Sequence, residues 1–278
     1  MKRIGRTIAK HWMRLNFSRI SAFQEGGRTM QALPTAARRM GLVVVILNLA
    51  LSTQAWSVTE SADISGTWTL MDYKPTRVPA RQRIPQTIEG TTPPLQPWAE
   101  KLYEQRLAAS DRGQPFFPAS ASCLPNGIPL TMMADAAYPF QILQTPGQVT
   151  MLFTVWNIYR IIYLQQNHHK DVDDGYMGDS VGHWEGDTLV VDTIGLNDKT
   201  TLDMSGMPHS DSLHVIERIR RVDHNTLENL ITVDDPKTFT KPWTTRMRYQ
   251  SSKELMREYF CENNKVAPPS DQRPASSH

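Results

Sequence analysis

A series of short apolar runs after residue 140 constrains the fold of this 278-residue chain more than any other feature. The runs have the length of β-strands, and turn-forming triplets such as Thr145-Pro146-Gly147 separate them. The predicted strands cover residues 140–145, 149–156, 158–165, 180–184, 188–195, 213–222, 226–235, 243–250 and 255–262. Strands joined by tight turns form antiparallel sheets, and a long sheet tends to close because closure removes its edges. The sequence therefore predicts a mainly β fold, an antiparallel β barrel within residues 141–264.

The segment from 56 to 140 lacks the regular series of strand-length apolar runs that follows it. "DISGTWTL", residues 63–70, alternates apolar and polar residues and predicts a first strand. Pro97 begins a stretch whose apolar residues have helical spacing, which predicts one peripheral helix over 97–109. We expect this segment to pack on the barrel.

Five prolines lie between residues 110 and 140, a stretch that we name the Pro-rich arm. A tract with so many prolines is ordered only if something holds it in place. We expect the arm to be fastened to the barrel, and residues 265–278 to form a disordered tail.

An apolar run at 41–51 follows two arginines and precedes small residues, which is the pattern of a secretory signal peptide with its core at 38–55. Cleavage before Trp56 would remove residues 1–55 as a leader and leave one secreted or periplasmic domain. A retained membrane anchor is the alternative, but the run is shorter than the roughly 20 residues that span a bilayer. We therefore expect no stable membrane insertion after cleavage.

The charge distribution excludes one class of partner. The leader, residues 1–55, holds nine of the 30 basic residues and one of the 28 acidic ones, so 21 basic and 27 acidic residues remain after it. The mature chain would carry a net charge of −6 rather than the +2 of the whole sequence. Nucleic-acid binding needs a basic surface, so no nucleic-acid partner is expected.

Two cysteines, Cys123 and Cys261, lie far apart in the sequence. In an exported protein an even number of cysteines favours a disulfide, here one that ties the Pro-rich arm to the last predicted strand. Two buried free thiols are the alternative. The absence of a Cys-x-x-Cys pair argues against redox catalysis.

Several segments carry a resemblance to known proteins. They read "SVGHWEGDTLVVDTIGLN", "GMPHSDSLHVIERIRR", "DDPKTFTKPW" and "EYFCENN". Together they resemble a large group of secreted bacterial proteins without an assigned activity, over about residues 123–264. The "SGTW" of the first strand resembles the Gly-x-Trp signature of lipocalin-like barrels, whose first strand packs a tryptophan across the barrel floor. The resemblance implies a lipocalin-like barrel and names no ligand.

The hairpin at 180–195 contains a histidine and three carboxylates. Glu185 and Asp187 flank a glycine and are expected to form the turn. Strand alternation places Asp192 on the face opposite Leu189, Val191 and Thr193. His183 and Asp192 are therefore the candidate functional residues of this hairpin.

The segment 206–218 is the richest in ionisable residues. If it ends in a strand, Glu217 shares a face with Val215 and Ile219, while His214 lies on the other face. A carboxylate among aliphatic residues is either buried with a partner or lines a cavity. A desolvated glutamate and a histidine such as His209 would suit proton abstraction and return. A structural salt bridge between Glu217 and an arginine is the alternative.

Metal binding is a more specific alternative to acid/base chemistry. His168 and His169, with three nearby aspartates, or His209, His214 and Glu217 would supply nitrogen and oxygen ligands. No His-x-His or His-Glu-x-x-His spacing is present, so we expect neither a metal nor another cofactor. A serine hydrolase is disfavoured because the sequence has no Gly-x-Ser-x-Gly elbow.

Together these features predict a protein that binds a small, possibly aromatic, organic molecule. The candidate catalytic residues are His209, His214, Glu217, His183 and Asp192, and the candidate substrate-binding residues are Arg160, Arg218, Tyr159, Trp184 and Trp156. The density of ionisable residues between 183 and 220 favours a cofactor-free acid/base enzyme, a lyase, isomerase or decarboxylase. A non-catalytic carrier of a hydrophobic ligand is the first alternative, and a metal-dependent hydrolase or lyase is the second.

Overall fold

The structure is a computed structural model that describes residues 62–75, 77–259 and 261. Within these residues nine strands close into a barrel in chain order. The strands are β1 (Gly66–Leu70), β2 (Phe140–Thr145), β3 (Gln148–Phe153), β4 (Tyr159–Leu164), β5 (Asp179–Glu185), β6 (Thr188–Ile194), β7 (His214–Asp223), β8 (Thr226–Asp234) and β9 (Trp243–Ser251). The helices are α1 (Pro97–Asp111) and α2 (Leu130–Met133), with 3₁₀ turns at Ala80–Arg83, Ala119–Ser122, Asp135–Ala137 and Val155–Asn157. The predicted mainly β barrel with a peripheral helix is confirmed.

Barrel closure corrects one predicted strand. β1 pairs with both β2 and β9, so the first strand of the chain completes the barrel. The sequence predicted a further strand over 255–262, but residues 252–259 form none. Once β1 occupies the edge of β9, no free edge of the barrel is left for another strand.

The sheet also departs from purely antiparallel pairing at one place. β4 and β5 run parallel, with Ile162 opposite Ser180, whereas the other neighbouring strands are antiparallel. A parallel pair needs a long connection that returns the chain to its starting end, and residues 165–178 supply it.

Strand alternation fills the barrel interior. On β7, Val215, Glu217 and Ile219 are fully buried, while His214 and Arg218 lie on the outer face. The predicted faces of β6 and β7 are therefore confirmed. Trp68 of the Gly-x-Trp segment is also buried, and the Arg221 guanidinium lies 5.0 Å from the centre of its ring. The interior is thus packed with side chains.

The Pro-rich arm packs against the barrel. The Tyr249 hydroxyl of β9 donates a hydrogen bond of 3.0 Å to the Met132 carbonyl of α2, and both residues are buried. Earlier in the arm, Cys123 forms a disulfide with Cys261, and the two Cα atoms lie 5.6 Å apart. The predicted cysteine pairing is confirmed, and it fastens the arm to the segment that follows β9.

The predicted leader, residues 1–55, and the predicted tail, residues 265–278, lie outside the described residues. In the part of the chain that the structure describes, no helix has the length and apolar character needed to cross a membrane.

Candidate functional site

A buried carboxyl group lies where the Pro-rich arm turns back toward the barrel. Asp135 begins the 3₁₀ turn after α2 and is buried. The Asn126 side-chain amide lies 2.9 and 3.1 Å from its two oxygens, and the Thr131 hydroxyl lies 3.4 Å from one of them. Asn126 is itself fixed, because its carbonyl oxygen accepts a hydrogen bond of 3.1 Å from the Ser120 backbone. The carboxyl group is therefore held by neutral donors, and no cation among the described residues forms an ion pair with it.

This environment changes the acidity of Asp135. Burial raises the pKa of its carboxyl group to about 7, and the donors on Asn126, Thr131 and Trp156 oppose that rise only in part. A carboxyl group that titrates near neutrality exists in both protonation states at physiological pH. It is therefore suited both to accept and to return a proton.

Asp135 forms part of the wall of a cavity of about 730 Å³, which we name the aromatic cleft. Its aromatic lining residues are Tyr73, Phe116, Phe117, Tyr138, Trp156 and Tyr259. They come from loops, from the Pro-rich arm and from the segment after β9, and none lies within a barrel strand. The volume falls within the range of small-molecule sites, and the lining matches their usual character of apolar walls with a few polar groups.

Trp156 is held in an unfavourable backbone conformation beside Asp135. Its φ is +66°, in the left-handed region that bulky residues rarely adopt, and Asn157 follows with φ of +47°. The Trp156 and Tyr259 rings pack edge to face at 4.9 Å, and the Asn157 side chain binds the Tyr259 backbone through two hydrogen bonds. Strained residues of this kind cluster at ligand-binding and active sites.

The indole N–H of Trp156 is buried without a hydrogen-bond acceptor among the described residues. It is close enough to the Asp135 carboxylate to lower its pKa, but the two groups do not meet in hydrogen-bonding geometry. A buried donor without a partner is costly unless something else satisfies it. Because this nitrogen is not accessible to solvent, the indole N–H acts on the Asp135 carboxyl group rather than on a molecule in the aromatic cleft.

The tyrosines of the aromatic cleft are electrostatically coupled to Asp135. Burial raises the pKa values of the Tyr73 and Tyr259 hydroxyls, and the nearby Tyr138 and Asp135 raise them further. These hydroxyls therefore keep their protons at neutral pH and remain hydrogen-bond donors. The aromatic cleft thus combines one carboxyl group of raised pKa with two protonated tyrosine hydroxyls.

Two predicted site residues lie inside the barrel instead. Arg160 of β4 and Glu217 of β7 form an ion pair of 2.5 Å, with side chains 1% and 0% exposed. Arg160 also donates to Ser180 at 3.0 Å and to Thr193 at 2.8 Å, and Asn229 donates to Glu217 at 2.8 Å. Glu217 is thus buried with a partner, and the pair crosses the barrel rather than joining neighbouring strands.

Other predicted site residues lie on the outer face of the barrel. His183 and Arg218 both contact Glu185, at 3.2 and 2.7 Å, and His214 contacts Asp192 at 2.7 Å. Tyr159 is exposed, whereas Trp184 is partly buried and packs against the barrel core.

His209 occupies a third environment, a buried loop. Its Nε2 lies 2.7 Å from the Thr200 hydroxyl, and its Nδ1 lies 3.1 Å from the Ser210 carbonyl. Burial lowers the pKa of this imidazole, so it stays neutral at physiological pH. The structure therefore does not bring together His209, His214 and Glu217, which the sequence grouped as acid/base partners. Of the predicted site residues, only Trp156 lines the aromatic cleft.

The histidines considered as metal ligands pair with carboxylates on the outer face. His168 contacts Asp179 at 2.9 Å and Asp192 at 3.1 Å, and His169 contacts Asp179 at 2.7 Å. Within the described ranges, no group of three or more histidine, cysteine or acidic side chains is arranged to hold a metal ion.

Sequence reasoning missed Asp135. The one signal that points to it is a single carboxylate within the apolar stretch "LTMMADAAYPF", residues 130–140, since a lone acid among apolar residues is buried only at a cost. No periodic pattern leads from that stretch to Tyr73 or Tyr259, which approach it only in the folded barrel.

Comparison with known proteins adds no identity. No protein-family model matches this chain, and no curated protein matches its sequence. The function is therefore inferred from the site itself.

Proposed function

We propose that this protein binds a small ring-containing organic molecule in the aromatic cleft and exchanges a proton with it through Asp135. The observation that carries the proposal is a buried carboxyl group with a pKa of about 7 in the wall of a cavity of about 730 Å³. Aromatic side chains favour a flat, apolar ligand, and a titrating carboxyl group supports proton abstraction and return. The proposed reaction is an isomerisation, an elimination or a decarboxylation that uses no cofactor.

The proposed chemistry follows from the protonation states. The ionised Asp135 carboxylate takes a proton from a carbon or oxygen atom of the ligand, and the bonding electron pair stays on the ligand. The negative charge that develops there accepts hydrogen bonds from the tyrosine hydroxyls of the aromatic cleft. In an isomerisation, protonated Asp135 then returns its proton to a neighbouring atom, and in an elimination it protonates the leaving group, whose bond to the ligand breaks as the electron pair forms a double bond. In a decarboxylation, carbon dioxide leaves, protonated Asp135 supplies the proton that replaces it, and solvent water reprotonates Asp135.

We also propose a secreted or periplasmic location and membership in the group of secreted proteins that the sequence motifs resemble. The disulfide between Cys123 and Cys261 supports this location, because such bonds persist in oxidising compartments. It also holds the segment that carries Tyr259 beside the cleft, so the same bond serves the site.

Binding is tested with 2-naphthol, a neutral two-ring probe, by isothermal titration calorimetry. Tyr138→Ala removes an aromatic wall of the cleft and should weaken binding about 10-fold, since an aromatic contact contributes roughly 1 kcal/mol beyond its buried area. Tyr159→Ala is the matched control, because Tyr159 is 63% exposed on the barrel exterior and Tyr138 is 56% exposed in the cleft. The control should bind the probe within about twofold of wild type. Equal losses in both variants, or no saturable binding to the wild type, would contradict the proposal.

A further inference from the structure

A second cavity, of about 510 Å³, adjoins the aromatic cleft. The two cavities share Tyr73, Arg83, Ala134 and Met204 in their walls, so they form neighbouring parts of one elongated depression. The second cavity has a different lining, which combines apolar residues with cations and with two carboxylates, Asp72 and Asp203. Its apolar residues and cations include Leu70, Met71, Met133, Met247, Lys74, Arg246 and Arg248.

Arg83 stands where the two cavities meet. It ends the 3₁₀ turn Ala80–Arg83, and its Nε donates a hydrogen bond of 2.9 Å to the Val78 carbonyl. The turn is fixed on both sides, because Ala80 is buried and Arg81 forms ion pairs with Glu104 and Asp111 of α1. The guanidinium of Arg83 is therefore held in place by backbone contacts.

No carboxylate pairs with Arg83 within the described residues. Arg246 and Arg248, which also line the second cavity, both lie near Glu228, at 3.4 and 3.6 Å. The positive charge of Arg83 acts on Tyr73 and on the buried Asp203, and it lowers the pKa of each against the larger effect of burial. Arg83 thus presents a positioned cation without a salt-bridge partner to the junction of the cavities, and a guanidinium matches the two oxygens of a carboxylate.

We propose that the ligand of this site is an aromatic carboxylic acid whose carboxylate pairs with Arg83 while its ring lies in the aromatic cleft. This inference rests on the proposed function and names its substrate class. Because burial raises the pKa of Asp135, its carboxyl group repels the anion less than an ordinary carboxylate would. The Arg83 charge then fixes the acid group, and the ring is placed against Trp156 beside Asp135.

The test compares 2-naphthoate with 2-naphthol, which share the ring system and differ in charge, by calorimetry on the full protein at pH 7. The wild type should bind 2-naphthoate about 10-fold more tightly than 2-naphthol. Arg83→Met should abolish this preference and change the affinity for 2-naphthol less than about twofold. Arg83→Lys should keep part of the preference, since the charge remains but the two-pronged geometry is lost.

Arg112→Met is the control, because Arg112 is an exposed arginine at the end of α1 that lines neither cavity. It should retain the preference for 2-naphthoate. The inference is overturned if the wild type binds 2-naphthol and 2-naphthoate equally well. It is also overturned if Arg83→Met still prefers 2-naphthoate. In both cases the proposed function stands, because the aromatic cleft still binds the ring. If neither probe binds the wild type, the proposed function fails and this inference fails with it. Thermal unfolding shows whether Arg83→Met is folded, and Arg83→Lys carries the comparison if it is not.

Discussion

Glu217→Ala should lower the free energy of unfolding by about 3–5 kcal/mol, because it leaves the Arg160 guanidinium charged and unpaired in the barrel interior. Neither side chain of this pair is more than 1% exposed, so water cannot replace the lost carboxylate. The surrounding polar network joins five consecutive strands, from Arg160 on β4 to Asn229 on β8. The measurement is equilibrium unfolding in urea, which gives the stability of each variant.

Two further variants sharpen this prediction. The double change Arg160→Met with Glu217→Leu should recover most of the loss, because a buried ion pair is often replaceable by apolar residues of similar volume. Arg218→Ala is the matched control on the same strand: its ion pair with Glu185 is 44% and 49% exposed, and its loss should cost no more than about 1 kcal/mol. A double variant as unstable as Glu217→Ala would show that the pair itself is not the source of the effect.

Asp135→Asn should change how stability depends on pH. Below about pH 4 the Asp135 carboxyl group is protonated in both the folded and the unfolded chain, so it adds no pH dependence to the free energy of unfolding. Between about pH 4 and about pH 7 the unfolded chain loses this proton while the folded protein keeps it, which favours unfolding. The stability of the variant relative to wild type should therefore rise by about 4 kcal/mol across this interval and then level off.

The pH dependence distinguishes the effect of the raised Asp135 pKa on stability from the effect of a disturbed contact. If the amide disturbs the contact with Asn126, the stability of the variant shifts by a constant amount at every pH. Asp211→Asn is the control of opposite sign, since the Lys237 side chain lowers the pKa of this exposed carboxyl group. Its contribution is present above the unfolded pKa and is lost as the pH falls. A difference between wild type and Asp135→Asn that stays flat from pH 4 to pH 8 would refute the raised pKa of Asp135.

The barrel strands were accessible to sequence reasoning because alternation is a local property. Val215, Glu217 and Ile219 are inward because each second residue of β7 faces the interior, and the burial of Glu217 with an arginine follows from the cost of an isolated charge. The same local reasoning wrongly predicted a strand at 255–262. That segment has the residue pattern of a strand, but β1 already occupies the edge of β9 with which it would have to pair. It also could not show that β4 and β5 run parallel, because that depends on the path of the connection between them.

The candidate site was less accessible, because it is built from segments that have no periodic pattern. Tyr73, Asp135 and Tyr259 come from three separate loops, and they meet only because the barrel closes and the disulfide fastens the chain after β9 to the Pro-rich arm. Most of the ionisable residues that drew attention in the sequence, such as His214 and Glu217, lie on regular strands, where their partners are other strand residues. Loops held on a rigid scaffold are nevertheless where binding and catalytic groups concentrate.

The most direct measurement is the titration of the Asp135 carboxyl group by carbon-13 nuclear magnetic resonance on protein labelled at aspartate, with Asp135→Asn used to assign the signal. We expect a midpoint near 7 in the free protein, and a shift to higher pH by about half a unit or more when saturating 2-naphthol displaces water from the aromatic cleft. A midpoint near the ordinary aspartate value of about 4 would contradict the account. So would a midpoint that saturating probe leaves unchanged, because the carboxyl group would then not belong to the ligand site.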